Sequence, residues 1–141
     1  MKTDQKKIKD LKVDIKITLS ALWIVYMFVF IYTDYYKMFI PGVINDMMNG
    51  ILEGTKVTAL SLLLYSVISI VPGVMIFMSL ILKANINKWL NIVLGVIYFS
   101  ISLLSLTGNV WPFWIFYCSL LTIISIMIVV FSWRWPLDNK N

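Results

Sequence analysis

Two carboxylates, two phenols and one amide are the side chains of this 141-residue sequence best placed to do chemistry: Asp34, Glu53, Tyr65, Tyr98 and Asn91. Asp34 closes an apolar run between Tyr32 and Tyr35. Turned inward, its carboxylate can meet Lys56, hold the amine of a lipid headgroup or accept a proton; turned outward, it only terminates a helix. Glu53 lies in the connection that follows and offers a second carboxylate near the same boundary. Tyr65 and Tyr98 sit inside apolar runs, where a phenol requires a partner, either a backbone carbonyl or a bound headgroup. No nucleophile–base pair, metal cluster or phosphate-cradling glycine loop accompanies them. The chain has no histidine, which removes haem ligation and imidazole metal sites. Its one cysteine, Cys118, has no internal partner for a disulfide and no CxxC neighbour. The expectation is no catalytic residue, no metal and no cofactor.

The elements that position these groups are four apolar runs, residues 17–33, 57–82, 89–106 and 111–133, none of which holds a charge. Each approaches or exceeds the roughly 20 residues a helix needs to cross a bilayer core of about 30 Å. Lipid offers nothing to satisfy a bare backbone, so such runs must be helical. Hydrophobic residues make up 60% of the chain and its mean hydropathy is +0.87, outside the range of soluble domains. The expected fold is all-α, a membrane-embedded four-helix bundle over 17–136, preceded by a basic segment over 1–16 and followed by a tail over 137–141.

Charge sets the orientation. Lys2, Lys6, Lys7, Lys9, Lys12 and Lys16 precede the first run; Lys83, Lys88, Arg134 and Lys140 join them, against Lys37 and Lys56 on the other side. Positive loops stay inside, so both termini are expected in the cytoplasm. This placement explains the net charge of +5 without nucleic acid, which is not expected as a partner. Residues 32–36 offer no small-residue cleavage site, so the first run reads as a retained anchor. Ile8, Leu11 and Ile15 recur at helical spacing among lysines and suit an amphipathic extension among anionic headgroups.

Small and polar residues fall on one face of each run at steps of three and four: Ser20, Trp23, Met27 and Asp34; Thr58, Ser61, Tyr65, Ser69 and Pro72. Asn91, Gly95, Tyr98, Ser102 and Ser105 mark the third run, and Cys118, Thr122, Ser125 and Ser132 the fourth. Small residues admit close approach between helices, and hydroxyls and amides bond across it. Pro72 breaks the ladder of the second run and is expected to kink it. In the first connection, Val43-Ile44, Met47-Met48 and Ile51-Leu52 repeat every four residues. They predict a short amphipathic helix from Pro41 to Gly54, either lying in the outer interface or forming a lid.

Residues 30–36 (Phe-Ile-Tyr-Thr-Asp-Tyr-Tyr) running to Ile40-Pro41-Gly42, residues 87–95 (Asn-Lys-Trp-Leu-Asn-Ile-Val-Leu-Gly) and residues 132–136 (Ser-Trp-Arg-Trp-Pro) resemble a family of small bacterial four-helix membrane proteins, domain of unknown function 6326. The likeness covers about residues 16–136. It implies a four-span bundle in a bacterial cytoplasmic membrane and brings no activity. It nominates Asp34, Pro41, Gly42, Trp89, Asn91, Gly95, Arg134 and Trp135 as matching positions. Size and topology alone also resemble small DoxX-type proteins of membrane redox systems.

The function expected from these features is non-enzymatic: binding of lipid, quinone or another apolar ligand between the helices, or service as an accessory subunit. Its partners are membrane lipids, copies of itself or a membrane partner protein. One alternative is a small homo-oligomeric transporter with Asp34 as coupling carboxylate, which requires the first helix to extend beyond Thr33. A DoxX-like redox component is the other.

Overall fold

A computed structural model of the chain describes residues 12–107 and 111–136. The first helix, α1 (Ile15–Lys37), starts where the Asp14 carboxylate accepts the Lys16 amide at 2.7 Å. It runs four residues past the apolar stretch, so Asp34 lies inside a helix rather than at its end. A charged residue stops a hydropathy run but does not stop a helix, because α-helical hydrogen bonds do not depend on side-chain polarity.

The connection departs from the sequence expectation in its second half. A helix, α2 (Val43–Met48), forms, but Asn49-Gly50 ends it after six residues. The apolar pair Ile51-Leu52 then becomes β1 (Ile51–Leu52), paired antiparallel with β2 (Thr55–Lys56). Glu53 and Gly54 form the turn with φ of 52° and 76°. Two consecutive left-handed residues are what a two-residue type I′ hairpin demands. Glycine adopts this freely; at Glu53 it costs about 1–2 kcal/mol.

α3 (Ala59–Ile81) opens with a capping box in which the Thr58 hydroxyl accepts the Ser61 amide and the Ser61 hydroxyl accepts the Thr58 amide. It continues through Pro72. α4 (Ala84–Leu104) begins five residues before the apolar run, taking in Asn87 and Lys88. α5 (Pro112–Trp133) begins with proline at its first position, where the missing N–H is not needed. Four of the five helices are thus long and apolar enough to cross a membrane.

The four long helices alternate in direction, which brings both described ends of the chain to one end of the molecule and the hairpin to the other. The Lys16 ammonium donates to the carbonyls of Leu80 and Leu82, at 3.3 and 2.8 Å, joining the start of α1 to the end of α3. A cation there complements the helix dipole. At the hairpin end, the Trp114 indole donates to the Ser105 carbonyl at 2.8 Å and ties α5 to α4. α1 packs between α3 and α5, and α4 packs on α5. The α4–α5 approach depends on Gly95. A Cβ there would stand 2.7 Å from a Val129 methyl and 3.3 Å from an Ile128 methyl, so a larger residue forces the facing side chains of α5 to shift.

The core is Leu19, Trp23, Tyr26, Met75, Tyr98, Leu121, Ile124 and Ile128. Its polar companions are the faces marked in the sequence: Asn91, Gly95, Tyr98 and Ser102 of α4 are buried, as are Cys118, Ser125 and Ser132 of α5. The face expected on α3 is buried only from Pro72 onward. From Ala59 to Ile70 that helix buries no residue, and Tyr65 and Ser69 are exposed. Residues 1–11 and 137–141 lie outside the described residues, and with them most of the basic segment and the tail.

Candidate functional site

Two polar arrangements face opposite ways along the helices, one closed and one open. The closed one lies towards the end that holds the termini. The Trp23 indole donates to the Asn91 side-chain carbonyl at 2.7 Å. The Asn91 amide donates to the Asn87 side-chain oxygen at 2.7 Å and to the Asn87 backbone carbonyl at 2.9 Å. The Asn87 amide in turn reaches the Ser79 carbonyl at 2.6 Å, linking α1, α4 and α3. Trp23, Asn87, Asn91 and Ser79 are all fully buried. Asn91, read from the sequence as a ligand contact, therefore has its amide and carbonyl engaged within the protein. The i, i+4 spacing of Asn87 and Asn91 was the signal for this network, since it places both amides on one helical face.

Tyr98 marks the boundary between the closed and open parts. Its ring packs edge-on against Trp23 and Tyr26, with centroids 5.7 and 5.3 Å away. Its hydroxyl donates to the Ile68 carbonyl at 2.6 Å. Ile68 precedes Pro72 by four residues, so its carbonyl is the one that proline leaves without a partner inside the helix. A phenol on α4 thus completes a hydrogen-bond ladder broken on α3. Tyr98 does not line the cavity described next.

Past this level α3 loses its packing, and a cavity of about 600 Å³ lies between the four long helices at the hairpin end. Its deep wall includes Tyr26, Cys118 and Leu121, and its middle Phe30, Ile68 and Ile101. Met47, Leu52 and Glu53 reach it from α2 and the hairpin, so this connection covers the opening as a lid would. Three of the five candidate residues meet here: Asp34, Glu53 and Tyr65.

The rim was only partly legible in the sequence. Lys56 lies on exposed β2, whereas the cation that enters the site is Lys37, one helical turn past Asp34. Lys37 pairs with Glu53 and also stands 5.1 Å from the centre of the Trp114 ring. Among the described residues this is the sole ion pair, so Asp34 has no basic partner within 4.0 Å. Two carboxylates and one ammonium give the rim one formal negative charge in excess. The left-handed turn that carries Glu53 is strained, and the Lys37 contact is what holds its carboxylate over the opening.

Such a site can hold an elongated apolar molecule with its polar end at the rim. Among the described residues no three carboxylate, thiol or imidazole groups gather as metal ligands would.

No curated protein and no solved structure matches the chain, so the DoxX-type likeness finds no counterpart. A family model described as a family of unknown function, DUF6326, matches residues 6–140, nearly the whole length and every residue of the site. The chain belongs to the DUF6326 family.

Proposed function

We propose that this protein is a multi-pass protein of the bacterial cytoplasmic membrane, with both termini inside, that binds an apolar ligand of the lipid or quinone type between its helices. The observation that carries this reading is the cavity of about 600 Å³, with apolar walls below and charged groups at its rim. Its volume lies within the roughly 300–1,000 Å³ of small-molecule sites, and few, convergent polar groups on an apolar pocket are their usual composition. The excess of basic residues at the ends of the chain supports an orientation with the cavity in the outer leaflet half and the hairpin at the outer surface. Binding needs no catalytic group and no cofactor, and an accessory role beside a membrane partner protein uses the same cavity.

Ligand-induced stabilisation tests it. An occupant held only by the folded state raises stability by RT ln(1 + [L]/Kd), about 2.7 kcal/mol at a hundredfold excess over Kd. Thermal unfolding of the full chain should shift upward with at least one member of a panel of lipids and isoprenoid quinones. Ser69→Trp should cancel the shift: Ser69 lines the cavity and its hydroxyl bonds only within its own helix, so an indole fills the space at little cost to the fold. Equal shifts in both proteins would place binding elsewhere.

A second reading draws on the length of α1. Because that helix runs to Lys37, Asp34 lies within it and lines the cavity, the condition for a coupling carboxylate in a homo-oligomeric transporter. It predicts proton-linked flux in proteoliposomes that Asp34→Asn abolishes; absence of such flux leaves the binding function alone.

A further inference from the structure

We propose that the occupant of the cavity is an alkyl ammonium: one apolar chain ending in a primary or quaternary ammonium that sits at Asp34. This rests on the binding function above and specifies its ligand class. The polar groups of the rim decide between head chemistries. Lys37 is already paired with Glu53 and stands against the Trp114 ring, so its charge is offset before any head arrives. Asp34 lines the same cavity, stays exposed at its rim and has no basic partner within 4.0 Å. A neutral head leaves that carboxylate unpaired, and an anionic head adds repulsion. A cationic head turns the same carboxylate into a charge-assisted partner.

The aromatic residues of the lining agree with the charge. Tyr35 and Tyr65 line the cavity together with Asp34. Carboxylate with aromatic faces is the composition that holds ammonium groups, which bind both the charge and the negative faces of rings. Below them, Phe30, Ile68, Ile101 and Leu121 give a chain an apolar wall. Two sources share this chemistry, a free single-chain amphiphile and the ethanolamine headgroup of a phospholipid that inserts one of its chains.

The test uses the full chain in nanodiscs of phosphatidylglycerol and measures binding of radiolabelled dodecyltrimethylammonium, dodecanol and dodecyl sulfate above empty discs. The expected result is one cationic probe per chain, held about tenfold more tightly than dodecanol, with dodecyl sulfate weakest. Asp34→Asn should erase the preference for the cation, and Lys37→Gln, which leaves two unpaired carboxylates, should increase it. A misfolded variant cannot produce changes of opposite sign. Phosphatidylethanolamine added to the discs should compete with the probe if the headgroup is the natural source, and leave it bound if a free amphiphile is; the ammonium class holds in both cases. Equal retention of cationic and neutral probes with a silent Asp34→Asn would overturn the ammonium assignment while leaving the cavity a ligand site. No probe above empty discs would overturn the binding function itself.

Discussion

Replacing Asn91 with alanine is expected to lower the stability of the folded helices by about 2–5 kcal/mol, measured as unfolding in mixed micelles of increasing denaturing detergent. Two effects of different size compete in that number. A single hydrogen bond between membrane helices contributes only about 0.6 kcal/mol on average, because the unfolded helices find other partners. Asn91 is not a single bond. Its carbonyl accepts from the Trp23 indole and its amide satisfies two oxygens of Asn87, with every member fully buried. Alanine orphans the indole N–H and the Asn87 side-chain oxygen together, and each buried group left unpaired costs about 1–3 kcal/mol. It also opens a void beside Trp23. The orphaning term wins because the groups lie among packed helices, away from lipid and water alike. Trp23→Phe with Asn91→Leu removes donor and acceptor together and should lose less than the sum of the single changes. A loss near 0.6 kcal/mol for Asn91→Ala would mean that helix packing alone holds this end of the protein.

Tyr98→Phe should cost about 1–2 kcal/mol, and most of that cost should vanish in a Pro72→Ala background. The phenol donates to the Ile68 carbonyl, which lacks a helical donor because residue 72 is proline. Alanine at 72 restores the N–H, so the carbonyl no longer needs Tyr98. The double-mutant cycle should therefore show a coupling of about 1 kcal/mol between residues on different helices. A purely steric role for the ring predicts equal losses in both backgrounds, since its edge contacts with Trp23 and Tyr26 survive removal of the hydroxyl. The cycle bears on the cavity as well. Tyr98 and Pro72 mark the level at which α3 stops burying residues, so loosening this joint should also weaken ligand-induced stabilisation.

The faces of α4 and α5 were legible in the sequence because each is governed by local periodicity. Asn91, Gly95, Tyr98 and Ser102 recur at helical steps, and one rotation of the helix buries them all. Four membrane-length helices were legible for the same reason: uncharged runs of this length have few alternatives. What escaped depends on contacts between distant residues or on backbone geometry. Nothing in the run from Ala59 to Ile70 distinguishes it from a fully packed helix, and only its neighbours show that it stands apart and opens a cavity. Hydropathy ended α1 at Thr33, although the helix carries Asp34 and Lys37 on to the rim. The pairs from Val43 to Leu52 share one period, yet Asn49-Gly50 and the two left-handed residues Glu53 and Gly54 divert the second half into a hairpin. That diversion brought Glu53 to Lys37 rather than onto a polar helical face, and it left Asp34 as the unpaired carboxylate.

Native mass spectrometry of the full chain, extracted gently from the membrane in which it was made, tests the cavity most directly. The expected spectrum shows the protein carrying one tightly held apolar small molecule per chain, and Ser69→Trp losing it while keeping the same assembly state. A bare protein under conditions that preserve lipid contacts, or a molecule retained equally by Ser69→Trp, would contradict a ligand site between these helices.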